Sequence, residues 1–464
     1  MCAIGGFVLP AASSLRPPDL ARRVLGLIER GSVRGADSFG VVSVSRSSEV
    51  RVWRSLDPPT VDDIQPLMTE MASVLIFSRA IPTPEWSWDA TTDHIQPFCG
   101  DGWVTVHNGT IANDCALADM LGRPAPAVDS GVLPPAFGRF GPTTALAAVE
   151  GSYAVAAIDQ SQPHRLHLAR NFKPLVVASI DEVLTFASTA YQVTGRRADD
   201  FDVLGPRVER LPPYSSATAN AAEGTITLDA VDRPDNHRTL AVISGGLDSV
   251  VAATQRVRAG HEVTLLHFTY GCRAEVRELE AVERVAQRLG CHLKVVDLRW
   301  MKELGGSSLL DADAVLADGE QGAEFPHEWV PARNTAMIAV AAAVADAEGH
   351  TEIVLGTNLE EGGAFPDNTQ EFITAMSTAV ELGTWARPRV AAPVGDLVKH
   401  RIVRLGQELD APLDVTWSCY RGESRHCGDC GPCFMRRTAF EINGAVDPVM
   451  QHVDEHVTSV ALRG

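Results

Sequence analysis

A six-residue turn near the middle of the chain, Ser244-Gly-Gly-Leu-Asp-Ser249, limits what the second half can fold into more than any other feature. It follows the apolar run Leu240-Ala-Val-Ile243 and precedes Val250-Val-Ala-Ala-Thr-Gln-Arg-Val257, which reads as a helix. A strand, a tight Gly-Gly turn and a helix start form a phosphate cradle: the glycines let backbone N–H groups approach an anion, and the helix N-terminus favours negative charge. Ser244 and Ser249 add hydroxyl donors. No Gly-Lys-Ser/Thr follows, so this is not the Walker pattern. A lone Gly-Gly pair would read as an ordinary strand–turn–helix connection; the whole hexapeptide after a strand points to a nucleotide.

The surroundings agree. From Thr239 onward, strand-like segments at 262–268, 292–297 and 352–355 alternate with helix-like segments at 276–289, 334–347 and 371–382. Such alternation implies a parallel sheet with helices on both faces, and ligands then bind at the carboxyl ends of the strands. Arg333-Asn334 and Gly356-Thr-Asn358 are expected on that rim. Residues 1–225 instead alternate short Val/Ile/Ala-rich strand candidates with turns, and only the stretch near 20–30 reads clearly as helix. That half is a strand-rich α+β domain. Residues 226–238, rich in Asp, Pro, Asn, His and Arg, read as the linker, leaving 239–464 as the second domain. A length of 464 residues suits two cores rather than one.

Net charge is −19, which argues against binding a nucleic-acid backbone directly. No apolar stretch reaches the ~18–20 residues that span a bilayer, and the first ten residues lack the basic region of a signal peptide. A cytoplasmic protein with no membrane contact is expected. Of nine cysteines, four are packed into 419–433. Cys419, Cys427, Cys430 and Cys433 form C-x7-C-x2-C-x2-C, a spacing that suits a tetrahedral zinc site; free or redox-active thiols are the alternative. Four thiolates leave no open coordination position, so such a metal would be structural.

The hexapeptide resembles the PP-loop of the ATP pyrophosphatase superfamily, whose fold is adenine nucleotide α-hydrolase-like. The second half as a whole resembles 7-cyano-7-deazaguanine synthases. The resemblance rests on the loop, Tyr270-Gly-Cys-Arg273, Glu278-Leu279, Leu304-Gly-Gly-Ser307, Val330-Pro-Ala-Arg-Asn334, Gly356-Thr-Asn358, Pro366-Asp367, Glu371-Phe372, and Thr416 to Tyr420 with the cysteines after it. It implies ATP, Mg²⁺ and structural Zn²⁺ as cofactors. It also implies adenylation of 7-carboxy-7-deazaguanine, attack by ammonia to give an amide, and a second ATP to dehydrate the amide to the nitrile. Ser244, Gly245, Gly246, Leu247, Asp248 and Ser249 would then bind ATP, with Asp248 beside the Mg²⁺-bound phosphates. Arg333 and Lys399 would stabilise charge on phosphate or carboxylate. Tyr270, Arg273, Asn334, Asn358, Pro366 and Asp367 would lie at the substrate, with Asp367 reading the guanine-like edge or simply capping a helix. Two stretches depart from the family pattern, Cys272-Arg-Ala274 and Glu360-Glu-Gly-Gly-Ala-Phe365.

Met1-Cys2-Ala-Ile-Gly-Gly6 resembles the start of class II glutamine amidotransferases, which have the Ntn-hydrolase sandwich fold. There, removal of Met exposes a cysteine whose thiol attacks the glutamine amide, with its own α-amine as base. The resemblance continues through Arg34-Gly-Ala-Asp-Ser38, Arg79, His107-Asn-Gly109, Asp129 and Phe186-Ala-Ser188. It implies Asn108 and Gly109 as the oxyanion hole, Arg79 on the glutamine carboxylate and Asp129 on its α-amine. The usual acidic residue after Asn-Gly is Thr110 here. Together the halves imply an AMP-forming ligase supplied with ammonia by its own glutamine domain. Some synthase-like proteins in anti-phage CBASS operons join the activated base to a protein amine, and the alternative is such a CD-NTase-like acceptor, with the first half as a recognition module. A homodimer is compatible with either.

Overall fold

The computed structural model describes residues 2–79, 92–180, 183–195, 208–311, 313–314, 316 and 328–451. The chain divides into two compact units between Pro234 and Asp235.

The first unit contains β1 (Cys2–Val8), β2 (Ser38–Ser45), β3 (Val50–Ser55), β4 (Met71–Arg79), β5 (Phe98–Gly100), β6 (Trp103–Ile111), β7 (Gly151–Asp159), β8 (Arg165–Arg170), β9 (Val176–Ile180), β10 (Val183–Ala187), β11 (Val208–Arg210), β12 (Ser215–Asn220) and β13 (Thr225–Ala230). They form two antiparallel sheets, ordered β11-β9-β10-β1-β4-β2-β3 and β13-β12-β8-β7-β6-β5. Successive side chains of a strand point to opposite faces, so one strand serves two layers. In β2, Val42 and Val44 pack between the sheets, against Val104, Val106 and Ala156. Its Phe39 and Val41 pack outward against Leu20, Val24, Leu27 and Ile28. Those four recur at helical spacing on the helix Pro17–Gly31, which places one apolar stripe on the sheet. Tyr153, Val155 and Ala157 of β7 carry a second helical layer through Leu117, Leu133 and Phe137. The layering helix–sheet–sheet–helix is the Ntn-hydrolase type of sandwich.

Two expectations need correction here. Helices at Asp114–Met120, Leu133–Phe140 and Pro142–Ala147 accompany the expected one. Each is too short for a 3.6-residue period to show in the sequence, and two carry Pro in the first turn. The expected linker also begins too early: 226–230 belong to β13, which pairs with β12 from Ser215↔Ala230 to Asn220↔Thr225. β13 is an edge strand exposed on both faces, so its composition resembles that of a connecting segment.

The second unit is built on β14 (Arg238–Val242), β15 (Glu262–Thr269), β16 (His292–Asp297), β17 (Glu352–Val354) and β18 (Arg389–Ala391). All pair in parallel, in the order β16-β15-β14-β17-β18. Leu240 of β14 enters the core shared with the helices Arg333–Glu348 and Gln370–Gly383. Ala241 and Ile243 enter the core on the opposite face, with Leu247–Arg258, Glu275–Leu289 and Lys399–Glu408. The strand order reverses between β14 and β17, which opens a crevice at their carboxyl ends. Among the described residues, no helix is long and apolar enough to cross a membrane.

Candidate functional site

The 244–249 loop leaves the carboxyl end of β14 and enters the helix Leu247–Arg258 through Gly246. Its own hydroxyls hold it in shape. Gly246 N–H donates to Ser244 Oγ (3.2 Å), Ser244 N–H to Ser249 Oγ (3.2 Å), and Ser249 Oγ–H to Gly246 O (3.2 Å). Gly245 has φ +85°, and a Cβ there would stand 2.9 Å from Glu278 O. A Cβ on Gly356, just beyond β17, would stand 2.4 Å from both Ser249 N and Cα. Both positions are glycine because neighbouring backbone occupies the space.

The loop opens into a cavity of about 220 Å³. His267 and Phe268 of β15, Tyr270, Glu278, Glu328, Arg333, Asn334, Glu361, Phe365, Lys399 and Tyr420 contribute to its walls. Lys399 Nζ pairs with Asp248 Oδ2 and lies 3.6 Å from Glu361 Oε1. Burial works against the lysine charge, but Asp248 and Glu361 outweigh it and hold the pKa above the ordinary lysine value. Arg333 Nη1 donates to Tyr270 Oη (3.4 Å), with the guanidinium carbon 5.8 Å from that ring's centre. Burial opposes its charge too, yet Tyr270, Tyr420 and Asp367 hold its pKa above the usual arginine value. Two cations thus remain charged beside the phosphate loop. Glu278 is pushed up to about 7 by burial, against the pull of Arg333. Cys272 Sγ lies 3.6 Å from Glu278 Oε2, and burial followed by that carboxylate pushes its thiol well above the ordinary range. Burial also pushes Glu328 up to about 7.

Behind the loop, the sulfurs of Cys419, Cys427, Cys430 and Cys433 all lie within 4.8 Å of one another. The N–H groups of Asp429 and Cys430 point at Cys427 Sγ (3.4 and 3.3 Å), which favours a thiolate there. An all-sulfur set of this kind fits zinc. Trp417 joins the cluster to the loop: its N–H donates to Gly245 O (2.8 Å) and its indole N–H to Cys419 O (2.7 Å).

In the first unit, Cys2 begins β1 opposite Arg79 of β4. Arg34 Nε–H donates to Cys2 O (3.1 Å). β6 carries His107, Asn108 and Gly109 along one edge of β7. His107 is buried between Ser130 Oγ (2.7 Å) and Ser152 O (3.2 Å); burial outweighs Asp129 and lowers its pKa, so the ring is neutral. Asn108 is buried, and its Nδ2 has no hydrogen-bond partner among the described residues. A Cβ on Gly109 would stand 1.8 Å from Ser152 O. Asp129 accepts from Ile111 N–H (2.7 Å) and Ser130 N–H (2.7 Å). Ser188 Oγ accepts from Ile4 N–H (3.0 Å), fastening the end of β10 to β1. The side chain of Arg79 and all of Met1 lie outside the described residues.

The structure thus gathers five of the six loop residues (Ser244, Gly246, Leu247, Asp248 and Ser249) with Tyr270, Arg333, Asn334 and Lys399 around one cavity, and places Gly245 and four other expected residues outside its walls. The Arg273 guanidinium donates to Asp311 O (2.9 Å) and to Ala314 O. Asn358 Oδ1 caps the helix Leu359–Ala364 by accepting from Glu360 and Glu361 N–H (both 3.0 Å). Pro366 and Asp367 sit in the turn Pro366–Asn368, where Asp367 Oδ2 accepts from Asn334 N–H (3.1 Å). His267, Glu278, Glu328, Glu361 and Tyr420 line the cavity without having been given a site role from sequence. Glu278 and Glu361 had a usable signal, since each stands in the first turn of a helix.

A glycine-rich loop and a cavity at the switch point of a parallel sheet give the second unit the architecture of a nucleotide-handling enzyme domain, here joined to a second, Ntn-type unit. Residues 238–444 match the family described as "Queuosine biosynthesis protein QueC", and residues 85–194 match one described as "Glutamine amidotransferase domain". The chain is 38% identical over 466 residues to a 7-cyano-7-deazaguanine synthase of Saccharolobus solfataricus, covering 97% of this chain and 99% of the relative. A 7-cyano-7-deazaguanine synthase of Sulfolobus acidocaldarius is also 38% identical, over 97% of this chain and 99% of its own length. One from Koribacter versatilis is 41% identical over 225 residues, which is 47% of this chain and 95% of the relative. The chain belongs to the 7-cyano-7-deazaguanine synthase family of ATP-dependent ligases, and carries an amidotransferase-like unit at its N-terminal end.

Proposed function

We propose that the protein converts 7-carboxy-7-deazaguanine to 7-cyano-7-deazaguanine with ATP, using ammonia released from glutamine by its first unit. The observation that carries this reading is the presence, in one chain similar end to end to named synthases, of a phosphate-loop cavity and an amidotransferase constellation. The Koribacter relative has room for only one of the two units, so the additional unit calls for a task of its own, and ammonia supply fits it.

A carboxylate is inert toward amines until its oxygen becomes part of a good leaving group. Its oxygen attacks the α-phosphorus of ATP, and pyrophosphate leaves. Ammonia attacks the acyl carbon, and AMP leaves with the former carboxylate oxygen. A second ATP adenylates the amide oxygen with release of pyrophosphate, and loss of AMP and both N–H protons gives the nitrile. The loop's N–H groups and hydroxyls bind phosphate, and Lys399 and Arg333 balance its charge. Asp248 Oδ1, buried and unpartnered among the described residues, fits as an oxygen ligand for Mg²⁺. The four cysteines hold a structural Zn²⁺ that fixes the tail. In the first unit, Cys2 freed of Met1 is the nucleophile, and Asn108 Nδ2 with Gly109 N–H forms the oxyanion hole. Asp129 and Arg79 hold the two ends of glutamine.

The test is product mass spectrometry with ATP, the carboxy acid, and either glutamine or ammonium. Nitrile is expected with both nitrogen sources in the wild type. Cys2→Ala should lose at least about 10³-fold of the glutamine-dependent rate and keep the ammonium-dependent rate. Equal loss with both sources would remove Cys2 from ammonia supply. Mass gained by an added candidate protein in place of nitrile would make the acceptor a protein amine.

A further inference from the structure

Three glutamates line the cavity behind the loop: Glu278, Glu328 and Glu361. Protein groups answer two of them. Glu361 lies 3.6 Å from Lys399 Nζ, and Glu278 accepts from Cys272 Sγ and faces Arg333. Glu328 is different. It is 6% exposed, and its Oε1 has no hydrogen-bond partner among the described residues. Burial pushes its pKa up, and among the described residues it forms no ion pair. A buried carboxylate oxygen left unanswered costs folding free energy, and inside a cavity it calls for donors on a ligand.

The kind of ligand follows from the acceptor. A metal ion would need further ligating side chains, and among the described residues the cysteine cluster is the one group of three or more. Adenine sets an acceptor, N1, beside its amino donor, so half of that edge repels a carboxylate. A guanine-type ring sets two donors side by side, N1–H and the exocyclic amine, which match the two oxygens of one carboxylate. Substitution at position 7 leaves that edge untouched. Asp367, the residue the sequence offered for this task, is already committed to Asn334 and Asn368. The neighbouring Trp329 stacks on Phe365, which lines the cavity, with ring centres 5.9 Å apart and planes at 15°, so Glu328 sits beside a fixed aromatic wall.

We propose that Glu328 determines base specificity, accepting the ring N1–H and exocyclic amine of the 7-deazaguanine acid and leaving the 7-carboxylate to Arg333 and the phosphate loop. The inference rests on the functional reading above. It is tested by comparing kcat/KM for AMP formation, with ammonium as nitrogen source, on 7-carboxy-7-deazaguanine and on its analogue lacking the exocyclic amine. Losing one hydrogen bond to a charged acceptor should make the wild type prefer the first acid by about 10- to 100-fold. Glu328→Gln should shrink that preference to about threefold or less while the KM for ATP stays unchanged. Glu328→Asp, the second variant, keeps the charge and should retain part of the preference. A purely structural role would slow both acids alike, and an unchanged ratio in either folded variant would overturn the inference. No AMP from wild type with either acid would instead overturn the functional reading, and the inference with it.

Discussion

Glu278 and Glu328 carry protons at pH values where most carboxylates have lost them, and this has a thermodynamic signature. Burial raises the Glu328 pKa from 4.5 to about 7. Between those values the folded state binds more protons than the unfolded chain, so this group's contribution to stability falls as pH rises from about 4.5 to 7 and is level above. Glu328→Gln removes the slope. Denaturant unfolding across that range should show the variant gaining on the wild type with rising pH, by at most about 3 kcal/mol for a shift of this size. A difference that stays constant with pH would contradict the assignment. Single residues of this sort were hard to read from sequence. Asn108 and Gly109 could be put forward from sequence because they follow one another within a short motif, and Asp248 because it lies in the loop. Glu328 has no spacing relation to the loop, and only burial beside it in three dimensions marks it.

The helix Gly431–Ile442 is held by an arginine the sequence did not flag. Arg436 is fully buried and makes a two-pronged pair with Asp447 (2.7 and 3.0 Å). It also donates to Thr416 Oγ1 (2.6 Å) and Leu413 O (3.1 Å), so one side chain ties three segments around the cysteine cluster. Asp447→Ala strands that charge and should cost about 3–5 kcal/mol in urea unfolding; a loss below about 1 kcal/mol would mean that the pair is not closed in solution. The long elements of the second unit were legible because their periods run for several turns, or because β-branched runs alternate with them. Helices of eight residues or fewer, such as Leu133–Phe140, offer too few repeats, and an edge strand exposed on both faces, β13, has no buried stripe to read.

Each unit builds its own cores: one lies between the two sheets of the first, and two lie on the two faces of the parallel sheet of the second. That division was legible from a change of rhythm near residue 239, because antiparallel and parallel sheets impose different alternations on the chain. The hydrogen bond from Trp417 N–H to Gly245 O gives the second unit a property that neither motif has alone. It makes the cysteine cluster a support for the 244–249 loop, so on the function proposed above zinc and nucleotide binding would be thermodynamically linked, and linkage is reciprocal. A non-hydrolysable ATP analogue should raise the zinc affinity measured in competition with a chelator, and metal loss should weaken analogue binding by the same factor. A zinc affinity that ignores the nucleotide would break the link. On that reading, zinc supply would set how much of this protein can hold ATP, coupling a deazaguanine-modifying step to metal nutrition with no dedicated sensor.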